Sequence, residues 1–338
     1  MLNISDKLKE EVKNLNQILN NNYKKVLKMD KDDIRCYINN NIGKVEKLCR
    51  ISTKKMEKYK KSGGVVAVDG SKNRIGSAFP HFIELFQSLA KSSIYKDNPI
   101  YIADFYTPLY MDKEKEILEK ISDDDTLSME DKNYAITKYK LAAIEVDAAI
   151  ESIDKLKPFV IMMDGSLIRY KIECADKWNK LKRECEKNNV ILIGVIKDIK
   201  TNIISMSLEE DNKIKDSNNI YDRELLYGVL EYGEIIRVSK DKTKKTDEGF
   251  TSCFMRTSKD PSIIGMDIIS SQKDYIEEMA NLVFTLTPQM GRGIPLWLDI
   301  IDSEVKISDK VINGLLERYL DRDIREKLFV TERSKREF

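Results

Sequence analysis

Along the first sixty residues the apolar positions recur at helical spacing. Leu8, Val12, Leu15, Leu19 and Val26 lie three, four or seven residues apart, and Gly and Pro are almost absent. The pattern predicts helix to about residue 60 and an N-terminal helical arm over residues 1–62, broken by Lys61-Ser-Gly-Gly64. Beyond the break come short apolar runs. Residues 65–69, 100–105, 159–164, 190–197, 235–238 and 252–256 are predicted strands, and residues 131–156 and 271–286 predicted helices. Strands and helices intermixed in this way imply an α/β domain over 63–338, with part of its sheet parallel. Residues 107–130 form a charged insertion. Its Asp123-Asp-Asp125 reads as a solvated loop ahead of a capping box, Ser128-Met-Glu-Asp131. Residues 209–219, EEDNKIKDSNN, read as a polar loop.

Composition narrows the class. The chain is 41% hydrophobic, enough for a sizeable core, and 34% charged with a net charge of +1, so no global basic field marks it for nucleic acid. The charge is uneven, however: residues 1–62 carry sixteen Lys and Arg against eight Asp and Glu. Such an excess is either a solvated helical face or part of a polyanion track. Five cysteines without a CxxC pair predict reduced thiols rather than disulfides or zinc. With no apolar leader at the N-terminus, the expected location is the cytoplasm. A single histidine, His81, set among apolar residues and expected to be packed, leaves little basis for a Ser/His triad.

The chemistry sits in a repeated tripeptide. VAVDGSKN at 66–73 and VIMMDGSL at 160–167 each end an aliphatic run on Asp-Gly-Ser. One Asp-Gly is usually a turn. Two copies after strands that look buried on both faces place Asp69 and Asp164 at the carboxyl edge of a parallel sheet, where α/β proteins build their sites. Two neighbouring carboxylates repel each other unless a cation lies between them, which makes a divalent metal the natural ligand. The predicted helix 131–156 offers Glu145 and Asp147, which cannot share a face. Glu145, with Leu141, Ala142, Ala148 and Ala149 around it, is favoured as the inward one. Lys197 ends the strand 190–197 where the other two end in aspartate, and could hold a phosphate. Near the C-terminus, IPLWLDIIDSEVKIS offers Asp302, favoured on its amphipathic setting, and Asp299.

An aspartate on a first strand, a glutamate on a helix, an aspartate on a later strand and an acid on a late helix is the ribonuclease H-like arrangement. More narrowly the chain resembles the NurA nuclease family. VAVDGSKN, the helix bearing IEVDAA, FVIMMDGSL, IGVIKDIK, DRELLYGVLEYGE and GIPLWLDIIDSEVKIS occur in the family's order over about residues 63–310. The resemblance implies a ribonuclease H-like mixed sheet flanked by helices. It implies a manganese-dependent 5′→3′ DNA exonuclease that also cuts single strands, forms a homodimer and resects DNA ends with a HerA-type hexameric translocase. Asp69, Glu145 and Asp164 would be metal ligands, with Lys197 at the site. Many family members carry histidine where this chain has Asp302; aspartate also binds Mn²⁺ or Mg²⁺ through oxygen, giving a harder ligand set. Two cations would activate water and stabilise the departing 3′ oxygen. Ser71, Arg74, Lys197 and Arg256 are the candidate DNA contacts. Two rivals stand beside this expectation. One is an actin-like or sugar-kinase-type ATPase, for which Gly291-Arg-Gly293 would be the nucleotide turn; the other is a non-catalytic DNA-end adaptor.

Overall fold

The computed structural model describes residues 4–330 except 96, 111–113, 115, 118–127, 216, 240 and 241. Asp123–125 of the charged insertion and the end of the C-terminal tail therefore lie outside the described residues. Strands β1 (Val45–Lys47), β2 (Val65–Gly76), β3 (Phe82–Ser92), β4 (Ile100–Tyr106), β5 (Val160–Asp164), β6 (Ile191–Ile196), β7 (Glu234–Arg237), β8 (Phe250–Arg256) and β9 (Ile264–Ile269) build one mixed sheet. Their order is β1-β7-β8-β9-β6-β5-β2-β3-β4. Only the central β2, β5 and β6 run parallel; their neighbours are antiparallel.

Side-chain alternation divides the core. From the central strands Val65, Ala67, Val160, Met162, Ile191 and Ile193 face one layer. That layer holds α9 (Ile276–Leu286) and α10 (Leu296–Val305), which contribute Leu282, Leu298 and Ile301. Val66, Val68, Ile161, Met163 and Leu192 face the other. There α4 (Met129–Leu156), α5 (Leu167–Glu173) and α6 (Ala175–Lys187) bury Val146, Tyr170 and Trp178. With both faces covered, these strands are continuously apolar, as buried parallel strands are. A further core under β7 and β8 is closed by α1 (Asp6–Leu27), α2 (Lys31–Asn41), α7 (Ile203–Glu210) and α8 (Asp222–Leu225). Helices α3 (Thr53–Lys61), α11 (Asp309–Tyr319) and α12 (Arg322–Leu328) complete the fold.

Three expectations change. The stretch expected as continuous helix carries β1, which pairs with β7 and so makes residues 45–47 part of the sheet. The first Asp-Gly-Ser is not a turn. Strand β2 runs on to Gly76 because β3 supplies partners: Asp69 pairs with Leu89, Gly70 with Ser88, Ser71 with Gln87. Only the second copy bends, with Gly165 at φ 107° and its N–H donating to the Val195 carbonyl at 2.8 Å. Finally His81 is exposed in the β2–β3 connection rather than packed. Helix α4 starts as its capping box predicts, Ser128 accepting from the Asp131 N–H. All five cysteines are free thiols, and no helix among the described residues is long and apolar enough to cross a membrane.

The bend after β5 depends on a close backbone approach at β6. A Cβ on Gly194 would lie 2.4 Å from the Gly165 carbonyl oxygen and 3.0 Å from Leu167. Gly194→Ala is therefore expected to lower stability by about 1–3 kcal/mol through overpacking. A lower urea midpoint at unchanged m-value would register it.

Candidate active site

Parallel register sets the first three groups side by side. Val68 pairs with Met163 and Asp164 with Val195, so Asp69, Asp164 and Lys197 leave three adjacent strands at the same edge. By alternation Asp69 and Asp164 sit on the α10 side of the sheet, as Val65, Ala67 and Met162 do. Helix α10 delivers Asp302 to the same place. One carboxylate oxygen each from Asp69, Asp164 and Asp302 lies within 4.8 Å of the other two. Lys197 is their counter-ion, its Nζ 2.6 Å from Asp164 Oδ2 and 3.4 Å from Asp302 Oδ1. Asp299, the other candidate on α10, accepts instead from Arg292 at 2.8 Å.

Glu145 approaches from the opposite layer. It is only 1% exposed, as its apolar helix neighbours predict, whereas Asp147 pairs with Lys177. Gly70 faces Glu145: a Cβ there would fall 2.5 Å from Glu145 Oε1 and 2.9 Å from Leu141. The glycine after Asp69 is thus required by close packing inside a strand and not by a turn. Glu145 lies outside the three-acid group, and its carboxylate accepts from Arg169 and from the Tyr170 hydroxyl at 2.6 Å.

The expected phosphate contacts are scattered. Ser71 Oγ accepts from the Ile307 N–H at 3.2 Å, pinning the end of α10. Arg74 is five residues down β2 from Asp69, roughly 16 Å along the strand. It stacks on the Phe82 ring at 3.9 Å and pairs with buried Glu84. Arg256 donates to three backbone carbonyls, those of Leu230, Lys259 and Asp260. Of the four, only Lys197 joins the acids.

Several residues of the site escape sequence reading. Arg169 and Tyr170 follow the second Asp-Gly-Ser on α5, and their adjacency to it was the only available signal. Asp267 on β9 is fully buried, and Lys245 at 2.8 Å, Ser252 at 2.6 Å and Ser166 all donate to it. Nothing in GMDII marks that acid as part of a site. Arg169, Ser166, Lys245, Ser252 and Asp267 border a cavity of about 520 Å³ that Asp69, Glu145, Asp164 and Lys197 also line.

The NurA domain family matches residues 63–307, which span the whole arrangement from β2 to the end of α10. The chain belongs to the NurA family. Among solved structures the NurA nuclease from Sulfolobus solfataricus superposes with a TM-score of 0.56 at 12% identity, covering 96% of this chain and 98% of that one. An endonuclease V from Bacillus subtilis is similar at a TM-score of 0.39 and 14% identity, over 86% of this chain and 96% of its own. The NurA fold of this chain is the ribonuclease H-like mixed sheet flanked by helices. Comparison with curated protein sequences finds no match.

The electrostatics are those of carboxylates crowded together. Burial, then repulsion from Asp164 and Glu145, pushes the Asp69 carboxyl up to about 8. Asp164 is also raised by burial, against the pull of Lys197. Burial raises Glu145 likewise, opposed by Arg169 and Tyr170. Burial works against the Lys197 ammonium, yet Asp164 outweighs it and holds the group above its ordinary value. Three carboxylates crowded together with one of them kept protonated near neutrality is a donor set short of positive charge. An all-oxygen, hard-ligand divalent cation fits it.

The sign of the pH dependence follows. Folded protein retains the Asp69 proton up to about pH 8, while an unfolded chain releases it near 4. Stability of the metal-free protein is therefore expected to fall as pH rises from about 5 to 8. Differential scanning calorimetry should show that fall reduced in Asp69→Asn and reduced again in wild type by saturating Mn²⁺. A flat profile in metal-free wild type would contradict the assignment.

Proposed function

We propose that this NurA-family protein is a divalent-metal-dependent DNA nuclease, hydrolysing phosphodiesters as a 5′→3′ exonuclease and single-strand endonuclease. The observation that carries the reading is the convergence of Asp69, Asp164 and Asp302 to within 4.8 Å beside Lys197. An ATPase of the actin-like type is not favoured. Its glycine turn would be Gly291-Arg-Gly293, but that turn faces the acids Asp299 and Asp302, which would repel nucleotide phosphates. A non-catalytic adaptor would have no use for three carboxylates converging beside Lys197.

Asp69, Asp164 and Asp302 would hold the cation, Mn²⁺ by family and Mg²⁺ by the same oxygen chemistry. A cation held there supplies Lewis-acid stabilisation of the charge that builds on the phosphoryl oxygens. Asp69 must shed its proton for the site to load. Lys197 then exchanges its carboxylate partners for phosphate oxygens, and is thereby placed against the developing charge. Water attacks phosphorus and gives a proton to solvent, the P–O3′ bond breaks, and the released piece leaves as a protonated 3′-hydroxyl while the remaining strand keeps the 5′-phosphate. Glu145 is the fourth acid. It joins a second cation only by releasing Arg169, and it otherwise orients Arg169 and Tyr170 beneath the cavity.

Asp69→Ala, Asp164→Ala and Asp302→Ala are each expected to lower Mn²⁺-dependent cleavage of end-labelled DNA at least about a hundredfold, with circular dichroism unchanged. Near-wild-type cleavage by Asp69→Ala or Asp164→Ala would overturn the site. EDTA should abolish wild-type activity.

The assembly proposed for this nuclease is a homodimer working with a HerA-type hexameric translocase in DNA end resection, in the cytoplasm. Family membership motivates the partners, and α1 supplies surface for one of them: Leu8, Val12, Leu15 and Leu19 are each 46–58% exposed along one face. Sedimentation velocity should give a dimer alone and co-migration with the hexamer. A monomer that ignores the hexamer at micromolar concentration would refute both contacts.

A further inference from the structure

Through Lys197, Asp198 and Ile199 the 520 Å³ cavity beside the acids shares its wall with a second depression of about 320 Å³. Lys197, Arg223, Tyr227 and Arg292 border it, with Ile199, Ile263 and Ile294 buried along its floor. A third, of about 510 Å³, shares Arg223 and Tyr227 as a common wall and is bordered on its far side by Lys31. Lys31 Nζ reaches that wall, since a Cβ on Gly228 would be 2.8 Å from it. The result is one path that starts at the acid cluster and meets Lys197, Arg292, Arg223 and Lys31, with an aromatic ring midway.

These groups are available. Arg223 and Arg292 have side chains 57% and 63% exposed, and Tyr227 is 55% exposed. Asp198, 74% exposed, faces Arg223 at a loose 3.5 Å, while half-buried Asp299 bonds Arg292 at 2.8 Å, a partner that Arg292 exchanges for phosphate. Their mounting is nevertheless stiff. Arg223 begins at α8, whose Asp222 is fully buried and accepts from the Thr201 hydroxyl and from the Ile203 and Ile204 N–H groups at 2.6–3.0 Å.

We propose that this path is a track for single-stranded DNA, in which Arg292, Arg223 and Lys31 grip successive phosphates and Tyr227 stacks an unpaired base. The inference rests on the nuclease reading and goes beyond it by naming the residues that guide the strand. Each depression is the size of individual nucleotides, not of a double helix. Cations interleaved with an exposed ring match the way single strands are held without sequence preference. Lys31 also gives a role to part of the basic excess of residues 1–62.

The test uses full-length protein, EDTA to prevent cleavage, and fluorescence anisotropy of labelled oligothymidylate against salt. Tyr227→Ala should weaken binding at least about fivefold, from the loss of one stacked base. Arg223→Glu/Lys31→Glu should weaken it at least tenfold and flatten the salt slope by roughly 1.4, about 0.7 per phosphate contact. Affinity for a blunt duplex should be unmoved by Tyr227→Ala. Wild-type oligothymidylate affinity and slope in the double variant would overturn the track, as would an equal loss on duplex. If wild type cleaves DNA with Mn²⁺ while these variants bind normally, the track fails alone. If the variants lose binding and wild type cleaves nothing, the nuclease reading fails instead.

Discussion

Mutual repulsion among carboxylates, partly offset by the Lys197 ammonium, is the constraint on which the rest of the structure depends. Asp69, Asp164 and Asp302 come from a strand, a neighbouring strand and a late helix, and folding brings them together at an energetic cost. Lys197 offsets part of that cost through Asp164 and Asp302. Asp69 offsets more by keeping its proton. Such an arrangement gains little as a fold element. Its surroundings are ordered to match: glycine at 70, a salt-bridged glutamate behind it, and a cavity wall anchored on Asp267.

The sheet itself separates the acids into two sets. Odd-numbered positions of β2 face α10 and even-numbered positions face α4, so Asp69 meets Asp302 while Gly70 meets Glu145. The two layers communicate only at the edge where β5 ends and the chain bends at Gly165. There Glu145 and Arg169 reach the same cavity as Asp69 and Asp164. The tight packing of Gly194 against Gly165 keeps that edge open, which ties site geometry to the stability of the central strands.

Much of this was legible along the chain. Aliphatic runs ending in Asp-Gly-Ser located β2 and β5, apolar neighbours pointed Glu145 inward, and the choice of Asp302 over Asp299 agrees with the pairing of Asp299 to Arg292. The errors have physical causes. Asp-Gly looks like a turn locally, but a long antiparallel partner, β3, overrides that preference and keeps the first copy extended. Residues 45–47 read as helix because three residues are too few for alternation to show. Arg74 and Arg256 were reasonable cations by position, yet a ring, a buried glutamate and three carbonyls claim them.

By itself the sequence determined the α/β class, the buried central strands and the identity of the principal acids, because hydrophobic periodicity and residue chemistry are local properties. Tertiary structure alone decided which acids share a cation-sized space, that Glu145 stands apart with Arg169 and Tyr170, and that Lys31, Arg223, Tyr227 and Arg292 line one path. Those facts depend on strand register, on which face each side chain takes, and on contacts between residues up to two hundred positions or more apart. No local pattern encodes them.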